Sequence, residues 1–124
     1  MAKTTLKIIH ENNSYAPGEW TSTTWTIKDD MTAIVNIRYY MNDEKDDDLQ
    51  LKISEDKYNQ LFDFLEEGKK GDKDIFALDG SGWEIHQYNS DGIQIYHRDH
   101  SYIYGIAGFE KMEKLLYSLN KRLK

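Results

Sequence analysis

Apolar and polar residues alternate along most of the first half of the chain. Leu6 and Ile8 flank Lys7; Trp25 and Ile27 share a face with Thr23; Ala33, Val35, Ile37 and Tyr39 repeat the pattern. A period of two is the signature of a half-buried strand. It predicts strands over 5–10, 20–27 and 32–41, with a turn at Lys28-Asp29-Asp30, and a short strand at Leu49, Leu51 and Ile53. The period then changes. Tyr58, Leu61, Phe62 and Leu65 recur at i, i+3, i+4, i+7, one buried face of a helix. Ser54 is a good N-cap for it, Glu55 and Asp56 suit its positive end, and Gly68 is the expected stop. A second stripe, Phe109, Met112, Leu116, Leu119 and Leu123, predicts a C-terminal helix, with Glu110 and Lys114 as a favourable i, i+4 pair. Short strands are expected over 75–78 and 101–104, the latter after a turn at Asp99-His100.

Between the helices lies the best-defined segment, Trp83 to Arg98. Asn89-Ser90-Asp91-Gly92 is turn chemistry, with Gly92 supplying a positive φ. Alternation in the flanks predicts a hairpin in which Asn89 faces Ile93, Gln87 faces Ile95, Ile85 faces His97 and Glu84 faces Arg98. In that register Trp83, Ile85, Ile93 and Ile95 point inward, against the stripe of the last helix. Glu84, His86, Tyr88, Gln94, Tyr96 and Arg98 point outward.

Short turns between strands favour antiparallel pairing, and one apolar face per strand calls for one covering layer. The expectation is a single α+β domain over 1–124, a mostly antiparallel sheet with two helices packed on one face. Trp25-x-Ile27 with Val35 and Ile37, then a helix, resembles Trp83-x-Ile85 with Ile93 and Ile95, then a helix, which raises the idea of two strand–strand–helix halves.

Charge and composition narrow the function. The net charge of −6 disfavours nucleic acid and anionic membrane as partners and suits a basic one. The chain has no cysteine, which excludes disulfides, thiolate metal sites and cysteine nucleophiles. The first residues lack the apolar core of a signal peptide, so a cytoplasmic location is expected.

The candidate chemistry is sparse. His97-Arg98-Asp99 is similar to the catalytic loop of protein kinases, but the asparagine, glycine-rich loop and lysine strand of that set are missing. His97, Asp99 and His100 offer ligand atoms for a metal-dependent hydrolase, without a nameable further ligand. The acidic run Asn42 to Asp48 lacks the glycine and glutamate of a calcium-binding EF-hand and reads as a solvated loop. Gly80-Ser81-Gly82 precedes a strand and so lacks the helix N-terminus of a phosphate loop, while Gly105 to Gly108 precedes a helix and reads as a glycine helix entry, with an anion on its free N–H groups as the alternative. No cofactor is implied. What remains is the outward face of the hairpin, Glu84, His86, Tyr88, Gln94, Tyr96 and Arg98, whose residue types are those that interfaces favour.

Asp79-Gly80-Ser81-Gly82-Trp83-Glu84 and Tyr102-Ile103-Tyr104-Gly105-Ile106, with the size and acidity, resemble small acidic α+β proteins of bacterial genomes. These include immunity and inhibitor modules. The resemblance implies a non-catalytic domain that binds another protein.

Overall fold

The computed structural model describes residues 2–12, 20–41, 44, 46–73, 82–100, 103 and 105–120. These form β1 (Thr4–Asn12), β2 (Thr21–Lys28), β3 (Thr32–Tyr39), β4 (Asp47–Lys52), α1 (Glu55–Lys70), β5 (Gly82–Tyr88), β6 (Gln94–His100) and α2 (Ala107–Leu119). The fold is α+β: the strands make one antiparallel sheet in the order β4-β3-β2-β1-β5-β6.

Alternation assigns the buried face. Leu6, Ile8, Trp25, Ile27, Ala33, Val35, Trp83 and Ile85 are buried on it, together with Leu61 and Leu65 of α1 and Phe109, Met112, Leu116 and Leu119 of α2. Both helices reach this one face. Tyr117 of α2 meets His10, the Trp25 indole N–H donates to Asn120 at the end of α2 (2.9 Å), and Lys69 of α1 donates to Gln87. Within the core His10 stacks on Trp83 at 3.9 Å, Trp83 lies parallel to Trp25, and Tyr117 stands edge-on to Trp25 and His10. Trp83 is thus a core residue, as its place in the hairpin predicts.

The tight β2–β3 turn forms where expected. Met31 takes a positive φ of 66° there, and its N–H returns to the Lys28 carbonyl. Ser54 caps α1 by accepting the Lys57 N–H at 3.1 Å. Glu110 folds back over the start of α2, where its carboxylate accepts the Gly105 N–H at 2.9 Å.

Four local expectations are corrected. Helix α1 does not stop at Gly68. It runs to Lys70 with Gly71 as its cap. Gly68 is buried in the last turn because α2 crosses there: a Cβ on Gly108 would fall 2.2 Å from the Gly68 nitrogen, and one on Gly68 would fall 2.1 Å from the Phe109 ring. Glycine at both positions is a packing requirement, not a stop signal. Second, Asp47 and Asp48 belong to β4, not to the acidic loop, since Asp48 opposes Asn36 and accepts its amide. Third, Asp99 and His100 do not turn the chain but continue β6 opposite Glu84 and Trp83.

The fourth correction concerns the hairpin register. It begins as predicted: Asn89 and Ile93 are bonded through the turn, Gly92 has φ 80°, and Tyr88 faces Gln94. An irregularity then sets in between Gln87 and Tyr88, and Ile95 becomes the extra residue. Beyond it Gln87 faces Tyr96, His86 faces His97, Ile85 faces Arg98 and Glu84 faces Asp99. A bulge of one residue turns over every following side chain. Tyr96, Arg98 and His100 therefore lie on the helix side, while Ile93 and Ile95 are 60% and 55% exposed rather than buried.

The expected strand over 75–78, the turn residues Asp79, Gly80 and Ser81, and Ser101, Tyr102, Tyr104 and Leu123 lie outside the described residues. As for internal duplication, the first hairpin turns immediately after β2, between Lys28 and Thr32.

Candidate functional site: the two faces of the outer hairpin

The bulge gives β5 and β6 two chemically different faces. On the helix side, the C-terminal end of α1 stands over β6 and presents polar groups to it. The Lys69 ammonium lies 4.6 Å above the Tyr96 ring. Asp72, just past the Gly71 cap, accepts from Arg98 at 3.0 Å and lies 2.6 Å from His100 Nε2. This explains the register. An apolar strand at this position would face a lysine and an aspartate, whereas tyrosine, arginine and histidine satisfy both. The Tyr96 hydroxyl is buried there; burial first, and the Asp72 charge second, push it above the usual tyrosine range.

On the opposite face no helix packs, among the described residues. Two cross-strand pairs lie next to one another: His86 with His97, and Glu84 with Asp99. The imidazoles stack at 4.4 Å, nearly parallel. His86 uses both ring nitrogens, Nδ1 with Gln94 Oε1 at 2.8 Å and Nε2 with Glu84 Oε1 at 3.3 Å. His97 Nε2 is 2.9 Å from Asp99. Lys7 of β1 faces His86 from the other side, and Ile9 faces Glu84. A shallow depression of about 340 Å³ opens beside Glu84 and Asp99, bordered also by Ile9, Glu11 and Gly82. Glu84, His86 and His97 place ligand atoms within 4.8 Å of one another, so these three side chains can share a metal ion. Farther along the sheet, hydrogen bonds from Asn36 and then Arg38 hold the Asp48 carboxyl below its usual range.

The outward set expected from sequence is therefore divided. Glu84, His86, Tyr88 and Gln94 stay on the open side, while Tyr96 and Arg98 lie under α1. The ligand set His97, Asp99 and His100 is also divided, because His100 is buried against Asp72 and Phe109 on the helix side. Instead the structure joins His97 and Asp99 to His86 and Glu84. That grouping was legible in principle: Glu84-x-His86 and His97-x-Asp99 each put two residues on one strand face.

No helix among the described residues is long and apolar enough to cross a membrane. The sequence matches no protein-family model, and no curated protein is similar to it.

Proposed function

We propose that the chain is a non-catalytic protein-binding domain of the immunity or inhibitor kind, and that it engages its partner through the outer hairpin. The observation that carries this reading is the pair Ile93 and Ile95, 60% and 55% exposed in a hairpin whose remaining bulky apolar residues are buried. Large aliphatic side chains exposed at a sheet edge mark contact surfaces. Beside them the open face supplies Tyr88, Gln94 and the His86–His97 stack, a polar rim around an apolar centre. A net charge of −6 selects a basic partner, whose approach is steered electrostatically and slowed by salt.

The reading is tested by placing a photo-crosslinking residue at position 95, and separately at Gln50 on the far edge, in cells of the source organism. One discrete protein adduct from position 95, lost on Ile93→Ser, supports it. No adduct from position 95, together with turnover of a small substrate by the purified protein, removes it.

A further inference from the structure

We infer that Glu84, His86 and His97 form a Zn²⁺ site on the open face of the outer hairpin, with Asp99 orienting His97 or closing the coordination sphere. The inference is independent of the partner-binding reading.

The first argument is geometric. Zinc binds imidazole nitrogen and carboxylate oxygen at roughly 2.0–2.2 Å, so two ligands of a tetrahedral ion lie roughly 3.3 Å apart. His86 Nε2 and Glu84 Oε1 are 3.3 Å apart. His97 lies directly across the ladder, its ring 4.4 Å from that of His86. The three ligand atoms fall within 4.8 Å, and rotation of the half-exposed His97 ring closes the remaining gap.

The second argument is electrostatic. Glu84 and Asp99 are like charges placed directly opposite in an antiparallel ladder, an arrangement that destabilises a sheet unless a cation intervenes. Each carboxylate already touches an imidazole, Glu84 that of His86 and Asp99 that of His97. A divalent ion held by the two rings sets its charge between the carboxylates. Two imidazoles with carboxylate oxygen suit zinc better than the hard cations, which prefer all-oxygen shells.

The test uses full-length protein without a histidine tag, stripped of metal and titrated calorimetrically with Zn²⁺. Co²⁺ serves as a spectroscopic stand-in. One equivalent should bind, with a Co²⁺ visible spectrum of low coordination number. His86→Gln and His97→Gln, which keep a polar side chain on a solvated face, should each weaken binding by more than about tenfold, and Asp99→Asn by about tenfold. Circular dichroism confirms that each variant is folded. Absence of stoichiometric uptake, or uptake unchanged in the folded His86→Gln/His97→Gln double variant, overturns the site.

Discussion

Gly108 of α2 lies against the backbone of Gly68 in α1, so close that a methyl group on Gly108 would fall 2.2 Å from the Gly68 nitrogen. The obstacle is main chain and cannot rotate away. Gly108→Ala should therefore destabilise the protein by about 2–3 kcal/mol, despite alanine's higher helix propensity. Gly68→Ala meets the buried Phe109 ring instead and should fail unless that ring is cut back. Urea unfolding of Gly68→Ala, with and without Phe109→Leu, checks this. Partial rescue by the second change is expected for Gly68→Ala but not for Gly108→Ala.

Trp83 is 3% exposed, stacked on His10 and parallel to Trp25. Trp83→Ala should cost about 3–5 kcal/mol, the range of large aromatic truncations in cores. Ile95→Ser, at the exposed bulge, should change stability by no more than about 0.5 kcal/mol. Equal losses from the two variants in equilibrium unfolding would refute the observed hairpin register.

Asp72 joins the end of α1 to β6 through Arg98 and His100. Asp72→Asn keeps the shape but leaves the Arg98 guanidinium and the His100 ring without their carboxylate. A loss of about 2–3 kcal/mol is expected, below the value for a fully buried pair because some solvent reaches Asp72. Hydrogen exchange should report faster opening of β6 amides than of β2 amides in this variant.

Tyr96 gives an alkaline signature. Burial holds its pKa above the usual value, so the folded state retains the phenolic proton more tightly than the unfolded chain. The stability tied to the neutral form is complete below pH ~10 and is lost as pH rises through that value toward the folded one. Tyr96→Phe cannot ionise. Its urea midpoint relative to wild type should rise between pH ~8 and ~11. A constant difference across that range would mean that the hydroxyl is solvated.

Much of the fold was legible because period and capping agree. Thr23, Trp25 and Ile27 alternate into the core, Ser54 caps α1, and the α2 stripe is buried as the spacing demands. The failures share one cause: the deciding partner is remote in sequence. Gly68 reads as a helix stop until Phe109 and Gly108 are placed against it. Ile93 and Ile95 continue the apolar alternation of the hairpin, so nothing local reveals the bulge. It is fixed by Lys69 and Asp72, which require Tyr96, Arg98 and His100 on their side. The candidate site inherited that error. Alternation alone places Glu84 and His86 on the open face, but their cross-strand partners are Asp99 and His97, not Arg98 and Tyr96.

The place of β1 between β2 and β5 governs how the chain assembles. The strands β1 to β4 follow one another as a meander, so they can pair by closing short loops, which is fast. The other edge of β1 must wait for a strand some eighty residues away, since Leu6 faces Gln87. During synthesis on the ribosome, the meander is complete while its β1 edge still shows unpaired N–H and C=O groups, the kind of edge that recruits a second nascent chain. Docking of the β5–β6 hairpin is what covers that edge, so the hairpin protects the sheet from edge-to-edge pairing as well as completing it.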